Sequence, residues 1–442
     1  MQLRSYQLRA IGELRVAYAR GYRAPCLVLP TGGGKTHVAA EVIRSATARG
    51  NRTLFLAHRT ELIDQTVNKL AHAGVHDVRI IRAGSDTGSR LAPVAVASIP
   101  TLTRWLDNLP PADLVVFDES HHIVSETWAS LAGRYASARL LGLTATPQRG
   151  DGKALDDIFD AIVVGATVGE LTELGHLVPC QVWAPSERLN PGELALTPLE
   201  AYQRFAGDRP TIVFAATLEH AEQAHKEFER AGIRAGVVHG KLSAAARVET
   251  LTRYRDDVLI NVFCLTEGWD HPPMACCILA RNPQHASTYL QMVGRVLRPA
   301  PGKTHATLVD LTGCVHAHGT PDATRTYTLD GAGITRDART PIRQCVFCAF
   351  CWSGSGNVCT ACGETQPLKS TELPSSIGVG VSMVGAPVAP RPMRPKILVS
   401  KYPSKCRACA LPIRTGDRIA WVAGEKAQHE GCYLNELLQG VQ

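Results

Sequence analysis

The sequence CLVLPTGGGKT at positions 26–36 decides the fold, because it joins an apolar run to three glycines, a lysine and a threonine. The next residues, HVAAEVIRSATAR at 37–49, have a helix-forming pattern that Gly50 closes. Strand, glycine loop, Lys-Thr and helix form the order of a phosphate-binding loop, in which backbone N–H groups and the helix dipole bind phosphate oxygens. We expect Lys35 to neutralise the β- and γ-phosphates of a nucleotide and Thr36 to hold Mg²⁺. The alternative, a glycine-rich turn with an exposed lysine, is disfavoured by the strand and helix on either side.

A second run, LVVFDESHH at 114–122, places two carboxylates at the end of a predicted buried strand. The carboxyl ends of strands are where α/β sheets bind their ligands. Asp118 is predicted to hold the metal and Glu119 to act on the attacking water, since Mg²⁺-dependent phosphoryl transfer needs both functions. His121 is a candidate link to a neighbouring motif, with an ordinary structural histidine as the alternative.

Short apolar runs without polar alternation continue along the chain, as expected for strands with helices on both faces. In the first part of the chain they are CLVL (26–29), TLFLA (53–57), VAVAS (94–98), DLVVF (113–117) and RLLGLT (139–144). After the polar stretch 186–198 they resume as TIVFA (211–215), AGVVH (235–239), VLINVF (258–263), CCILA (276–280) and HATLVD (305–310). In the second series, Thr217 is a predicted helix cap and Gly232 a predicted helix end. The pattern predicts an α/β fold with two parallel-sheet lobes.

The composition fits a folded protein with about three domains and excludes a disordered or fibrous chain, since 45 % of the 442 residues are hydrophobic and 20 % are charged. Lys and Arg (47) exceed Asp and Glu (40), a balance that suits a polyanionic partner without requiring one. The N-terminus lacks the apolar stretch of a signal peptide, and no apolar run reaches the ~18–20 residues of a membrane span. We therefore expect a reducing, cytoplasmic location and no membrane association.

Eight of the fourteen cysteines cluster near the C-terminus with the spacing of zinc ligands. The first predicted set is a zinc ribbon formed by Cys345, Cys348, Cys359 and Cys362. Cys351 leaves an alternative, because it can form the first pair with Cys348 in place of Cys345. The second predicted set joins three cysteines and a histidine around a hairpin that turns at Gly416: Cys406, Cys409, His429 and Cys432. Free thiols or disulfides are the alternative, which a reducing compartment disfavours.

The order of motifs from Leu3 to about Leu311 resembles that of the superfamily 2 helicases of the DEAD/DEAH-like type. The matching segments are LRSYQ (3–7), PTGGGKT (30–36), LFLAHRTELIDQ (54–65), VASIPTL (96–102), DESH (118–121), LTATP (143–147), TIVFAATLEHAEQ (211–223), LTEGWDHPP (265–273) and YLQMVGRVLRP (289–299). The run QRGDG (148–152) is common in the branch related to transcription-coupled repair translocases and restriction-enzyme motors. The resemblance implies two RecA-like lobes with ATP and Mg²⁺ between them.

The resemblance also assigns roles to individual residues. It implies that Gln7 contacts adenine and that Gly268 and Asp270 bridge nucleotide and nucleic acid. The phosphate loop would comprise Thr31, Gly32, Gly33, Gly34, Lys35 and Thr36. Three catalytic candidates fall at i, i+4 and i+7 of a predicted helix, on one face directed at the γ-phosphate: Gln291, Arg295 and Arg298. The nucleic-acid contacts that it implies are His58, Arg59, Thr101, His239, Lys241 and Thr266.

The predicted organisation follows the chain. Its parts are a RecA-like, ATP-binding lobe 1 (1–168), a RecA-like lobe 2 (169–315), a connector (316–342), the zinc ribbon (343–367), a flexible linker (368–402) and the Cys₃His zinc module (403–442). We expect an ATP-dependent DNA helicase or translocase that uses ATP, Mg²⁺ and Zn²⁺. Its partner would be nucleic acid, with DNA favoured, and replication or repair proteins are candidate partners of the zinc modules. The alternatives are an RNA helicase of the same superfamily, a non-hydrolysing zinc protein on an inactive motor scaffold, and a restriction motor subunit.

Overall fold

The computed structural model describes most of the chain and divides it into two units, residues 1–385 and 386–442. The described residues are 2–57, 60–104, 108–122, 126–148, 154–190, 192–266, 268–330, 334–336, 342–353, 356–366, 396–400, 403–421, 427–429 and 432. Among them, no helix has the length and apolar character needed to cross a membrane.

The first sheet of unit 1 has eight strands within the described residues, in the order β4-β3-β5-β2-β6-β7-β1-β8. The strands are β1 (Pro25–Val28), β2 (Thr53–Ala57), β3 (Val78–Arg82), β4 (Ser85–Thr87), β5 (Val94–Ser98), β6 (Leu114–Asp118), β7 (Arg139–Thr144) and β8 (Ala161–Val164). All neighbours are parallel except β3 and β4. The helices of this part are α1 (Ser5–Ala19), α2 (Lys35–Thr47), α3 (Thr60–His72), α4 (Ile99–Leu102) and α5 (Glu126–Arg134).

The second sheet also has eight described strands, in the order β11-β12-β10-β13-β14-β9-β18-β17. The strands from here to the end of unit 1 are β9 (Cys180–Trp183), β10 (Thr211–Ala215), β11 (Ala235–Val238), β12 (Val258–Asn261), β13 (Cys276–Ala280), β14 (Ala306–Asp310), β15 (Arg325–Tyr327), β16 (Ile334–Arg336), β17 (Ile342–Gln344) and β18 (Phe350–Ser353). The helices are α6 (Val168–Glu173), α7 (Pro198–Ala201), α8 (Leu218–Arg230), α9 (Ala244–Tyr254), α10 (Ala286–Val293) and α11 (Val315–His318). Strands β9 to β14 pair in parallel, whereas β17 and β18 add an antiparallel edge.

The predicted fold class, two parallel-sheet lobes followed by cysteine clusters, is confirmed. Both lobes form because the central strands are buried along their whole length, as the unbroken apolar runs predict. Helix α8 shows the local logic: Thr217 Oγ1 accepts a hydrogen bond from the His220 N–H, and Ala221, Ala224 and Phe228 are buried. Gly232 then follows the helix with φ +73°.

The two cysteine-bearing regions belong to different units of the chain. Strand β18 pairs with β9, so the hairpin at the start of the predicted zinc ribbon continues the second sheet. Unit 2 holds β19 (Lys396–Val399), β20 (Ser404–Lys405), β21 (Pro412–Ile413), β22 (Arg418–Trp421) and β23 (Gln428–His429). Strand β19 lies in the last part of the predicted linker, whose residues 368–395 are outside the described residues. The predicted domain boundaries stay predictions.

Candidate functional site

The glycine loop joins the carboxyl end of β1 to the N-terminus of α2, as predicted. Gly34 is the cap of α2 with φ +80° and ψ +37°, and Gly32 also has a positive φ. This left-handed backbone suits glycine and turns the chain tightly into the helix. A side-chain carbon on Gly34 would lie 2.5 Å from Nε2 of Gln7, so a larger residue would displace the Gln7 side chain as well as strain the backbone. The loop therefore has the local geometry of a phosphate site at a helix N-terminus.

The acidic pair lies beside this loop. Asp118 ends β6 and is buried, and Glu119 follows it with a positive φ of +48°, a conformation that is uncommon outside glycine. Nζ of Lys35 lies 3.5 Å from Oε1 of Glu119. Burial, together with the neighbouring Glu119 charge, raises the pKa of Asp118 above its usual range, and Lys35 opposes this shift. A divalent cation would relieve the repulsion between these carboxylates.

The second carboxylate oxygen of Glu119 is buried and makes no hydrogen bond within the described part of the chain. It lies 3.5 Å from Nδ1 of His121. A buried carboxylate oxygen without a donor is costly, so it needs water or another donor from a ligand. This atom fits the expected role of Glu119 as an acceptor for a water proton.

His121 connects the two lobes. Its Nδ1 lies 3.0 Å from Oγ1 of Thr144, and its Nε2 lies 2.9 Å from Nε2 of Gln291 on α10. Because the Gln291 amide donates, Nε2 of His121 accepts and the proton is on Nδ1. Thr144 Oγ1 in turn donates to the Thr146 carbonyl oxygen. The DESH and LTATP segments of one lobe thus meet the YLQMVGRVLRP segment of the other.

The helix expected to carry three catalytic candidates ends earlier than the spacing predicts. Helix α10 stops at Val293, which leaves Arg295 in the following turn and Arg298 beyond it. Arg295 uses this turn to donate to backbone oxygens of its own lobe, from Nε and Nη2 to Thr266 and from Nη1 to Trp269. The expectation of one shared helical face is therefore wrong, because the chain leaves the helix at Gly294.

Arg298 lies against the phosphate loop. Its Cγ would be 3.3 Å from a side-chain carbon placed on Gly32, and its guanidinium forms an ion pair with Asp270. Nε of Arg298 is buried and has no hydrogen-bond partner among the described residues. Burial lowers its pKa to about 10, because the cation is largely desolvated.

These residues line one cleft of about 350 Å³, which lies between the lobes. Predicted residues in its lining are Thr31, Gly32, Gly34, Lys35, Thr36, Asp118, Glu119, Gly268, Asp270, Arg295 and Arg298. Gln7 reaches the loop from α1, where its Nε2 donates to the Gly33 carbonyl oxygen at 3.4 Å.

Sequence reasoning missed several residues of this site. The Tyr6 hydroxyl donates to the Gly33 carbonyl oxygen at 2.9 Å, and its ring packs against His176 at 5.4 Å between centroids. Lys69 of α3 also lines the cleft, and burial lowers its pKa. Tyr6 stands next to Gln7 in the quoted LRSYQ segment, which was a usable signal. His176 and Lys69 have no such signal, because long-range packing brings them to the cleft.

The predicted nucleic-acid contacts are only partly described. His58 and Arg59 lie outside the described residues. Thr101 is in α4 and is buried, and Thr266 accepts hydrogen bonds from Arg295 through its carbonyl oxygen. His239 and Lys241 follow β11, where the Lys241 N–H donates to Nδ1 of His239 at 3.3 Å. These roles stay predictions.

The first cysteine set converges as the ribbon spacing predicts. The sulfurs of Cys345 and Cys362 are 3.5 Å apart, and those of Cys348 and Cys359 are 3.7 Å apart. A tetrahedral zinc with bonds of about 2.3 Å separates its sulfurs by about 3.8 Å, so the set fits Zn²⁺. Cys351 is not in this group, and its thiol donates to the Ala349 carbonyl oxygen.

The second set, Cys406, Cys409, His429 and Cys432, also brings its ligand atoms within 4.8 Å of one another. Sγ of Cys409 lies 3.5 Å from Nδ1 of His429. Gly416 turns the chain with φ +99°, but the predicted hairpin around it is wrong. Strand β21 pairs with β20, and β22 pairs with β19 and β23, so the two sides of the turn belong to different sheets. The donor set fits Zn²⁺.

Two family models match the chain. "Type III restriction enzyme, res subunit" covers residues 1–149, and "Helicase conserved C-terminal domain" covers residues 197–300. Both matched regions contain residues of the cleft between the lobes.

Curated relatives cover different shares of the chain. A 51.5 kDa protein of a Lactococcus phage is 29 % identical over 76 % of this chain and 76 % of its own length. IRC3 of Saccharomyces cerevisiae, named as an inferred ATP-dependent helicase, is 26 % identical over 70 % of this chain and 51 % of its own length. The DNA 3'-5' translocase XPB2 of Sulfurisphaera tokodaii is 35 % identical over 35 % of this chain and 33 % of its own length. The chain thus spans about half of IRC3 and a third of XPB2.

Among solved structures, a fragment assigned as the HsdR subunit of a type I restriction enzyme from Vibrio vulnificus has the same fold. The TM-score is 0.58 at 22 % identity, over 75 % of this chain and 67 % of that one. The motif order, the fold and the family matches agree with one another. The chain therefore contains two helicase-family domains, and its relatives are superfamily 2 helicases of the branch that includes restriction-enzyme motors and DNA-repair translocases.

Proposed function

We propose that the protein hydrolyses ATP with Mg²⁺ between its two lobes and uses the lobe movements to translocate along DNA. The observation that carries this proposal is the contact of His121 with Gln291 next to Glu119. It connects the residue expected to act on water with the opposite lobe. Hydrolysis would therefore depend on how the lobes meet, which is what a motor requires.

Each residue of the cleft has a role in this proposal. Lys35 and the loop N–H groups bind the phosphates, and Thr36 and Asp118 would hold Mg²⁺, whose charge stabilises the transferred phosphoryl group. Glu119 orients and deprotonates the attacking water. Arg298 stabilises the negative charge that develops in the transition state, and Arg295 holds the segment of Thr266 and Trp269 in place. Gln7 is assigned to adenine.

DNA is favoured over RNA as the track. The name of XPB2 describes a DNA translocase, and the family model that matches residues 1–149 is that of a type III restriction enzyme. The net charge of +7 favours a polyanion. The cysteine sets would each hold one structural Zn²⁺ and bind nucleic acid or a protein partner, because four protein ligands leave no open position for catalysis.

The test is the ATPase rate of Lys35→Ala and Glu119→Gln with single-stranded DNA, duplex DNA, forks and RNA. Lys35→Ala should abolish turnover, because it removes a charge from the phosphate site. Glu119→Gln should still bind ATP and DNA yet hydrolyse at least ~10²-fold more slowly, since water activation is lost while the phosphate site persists. Lys226→Ala and Glu222→Gln, both on exposed positions of α8, are the matched controls.

Wild-type turnover in either site variant would contradict the assignment. Stimulation by RNA and not by DNA would move the proposal to an RNA motor. Strand displacement on tailed duplexes separates a helicase from a translocase that moves without unwinding.

A further inference from the structure

Phe263 has an unusual position in the second lobe. It follows β12 by two residues, and its backbone is in the left-handed region with φ +58°. A bulky aromatic residue rarely adopts this conformation, which is a marker of function when the surroundings enforce it. The residue is nevertheless 56 % exposed, so burial of its ring does not explain the conformation.

The turn that contains Phe263 is held from both ends. The buried Asn261 donates to the Val213 carbonyl oxygen at 2.9 Å and accepts from the Leu265 N–H at 3.3 Å. Arg247 of α9 donates to the Cys264 carbonyl oxygen at 3.1 Å. These bonds fix the chain on both sides of Phe263, whose ring is exposed. The conformation of this turn is therefore stabilised by its own hydrogen bonds.

Arg281 covers one face of the exposed ring. Its guanidinium carbon lies 3.7 Å from the centroid of Phe263, a close cation–π contact. Nη1 of Arg281 is buried and has no hydrogen-bond partner among the residues that the structure describes. Burial also lowers the pKa of Arg281, since the cation is partly desolvated. An anionic oxygen near this guanidinium would supply the missing acceptor.

Both residues stand at the carboxyl edge of the second sheet. Phe263 follows β12 and Arg281 directly follows β13, on the two sides of β10. His239, a predicted nucleic-acid contact, follows the neighbouring β11, and Thr266 is three residues beyond Phe263. The aromatic ring and the cation thus lie on the edge where the chain is expected to meet its track.

We infer that Phe263 stacks on an unpaired nucleobase with its open face while Arg281 binds the adjoining phosphate. This inference rests on the proposed function and assigns a binding site within it. Stacking on an aromatic ring tolerates every base, because each base has a π-face. The pair would grip single-stranded nucleic acid without reading its sequence, and it adds a base contact to a surface otherwise expected to bind phosphates.

The experiment compares the affinity of the full-length protein for two single strands, an oligothymidylate and an abasic strand of the same length and charge. Phe263→Leu should weaken oligothymidylate binding about 5- to 100-fold and leave abasic binding unchanged, since only stacking is lost. Phe263→Trp should keep the preference for bases. Arg281→Gln should weaken both strands by a similar factor and reduce the salt slope of log Kd by about 0.7.

Two controls address folding. Tyr22→Leu changes another exposed aromatic residue, which precedes β1 at the amino end of the strands of the first sheet. It should leave both affinities unchanged. Phe263→Gly should remain folded, because glycine suits the positive φ, while it loses the base preference. A base preference retained by folded Phe263→Gly would overturn the inference.

The outcomes distinguish a failure of the proposed function from a failure of the Phe263–Arg281 site. If the wild type binds no nucleic acid and its ATPase is not stimulated by any strand, the proposed function fails. If the wild type is stimulated but Phe263→Leu keeps the full base preference, or Arg281→Gln leaves the salt slope unchanged, the inference alone is overturned.

Discussion

Arg298 has the surroundings expected of a group that stabilises charge in the transition state. It is largely buried, its acidic neighbour Asp270 is half-exposed, and its Nε has no partner within the described residues. A buried cation with an unused donor gains most when additional negative charge develops nearby. Because Arg298 lies against Gly32, this stabilisation would act on charge that develops at the phosphate loop.

We predict that Arg298→Ala lowers kcat by about 10³-fold or more and leaves the Kd for ATP nearly unchanged, since the contact forms chiefly in the transition state. Arg298→Lys should recover little, because an ammonium lacks the planar donors. Steady-state kinetics together with nucleotide binding measure both, and Arg230→Ala, on the exposed face of α8, is the control. A raised KM with normal kcat would assign Arg298 to ground-state binding instead.

A second prediction at the residue scale concerns whether Cys345 or Cys351 completes the first set of zinc ligands. The full chain should contain two Zn²⁺, Cys345→Ser should contain one, and Cys351→Ser should contain two, because Cys351 is outside the converging set. Elemental analysis of the purified variants measures the count. One zinc in Cys351→Ser with two in Cys345→Ser would reverse the ligand assignment.

At the scale of the elements, the end of α10 lies close to the phosphate loop. A side-chain carbon on Gly294 would lie 2.6 Å from Cβ of Thr31 and 2.9 Å from the Leu290 carbonyl oxygen. Gly294 also ends the helix, which frees Arg295 to reach the carbonyl oxygens of its own lobe. Gly294 thus permits the close approach of the two lobes and ends the helix before Arg295.

Gly294→Ala should therefore disfavour the closed arrangement. Overpacking costs about 1–3 kcal/mol, which corresponds to a ~5- to 150-fold lower ATPase rate if closure limits hydrolysis. Nucleotide binding to the first lobe should change less than the rate. Gly12→Ala, in α1 with open space around the position, is the matched control and should not lower activity. Equal effects of both substitutions would show that the contact is unimportant.

The sequence was sufficient for elements whose signal is local. Strands β2, β5, β7, β10 and β13 match the apolar runs residue for residue, since strands buried on both faces carry no polar alternation. The phosphate loop and the cysteine pairs are equally local. The end of α10 at Val293, the pairing of β18 with β9 and the contact of His176 with Tyr6 depend on residues distant in the chain. Spacing alone therefore could not predict them.

At the scale of the whole molecule, the chain consists of a motor unit that includes the first cysteine set and a small second unit that holds the other. The second unit has its own ligands and its own strand pairing, β19 with β22 and β22 with β23. A module this small buries little apolar surface, so we expect its folding to depend on metal ligation more than on a hydrophobic core.

A fragment of residues 1–385 should fold, contain one Zn²⁺ and retain ATPase activity that DNA stimulates to at least half of the full-length rate. The reason is that all residues of the cleft lie in this unit. Circular dichroism, elemental analysis and ATPase assays test it against the full chain. Complete loss of ATPase activity would mean that the second unit contributes to the motor.

The pairing of β18 with β9 sets a lower limit on how far such shortening can go. A fragment that ended before Ile342 would expose β9 as an edge strand, with a row of backbone N–H and C=O groups that β18 now covers. Bare edges of this kind recruit strands from other molecules and promote aggregation. The hairpin of β17 and β18 therefore also covers an edge that would favour self-association, and if Zn²⁺ holds this hairpin, its removal should promote aggregation before it abolishes ATPase activity.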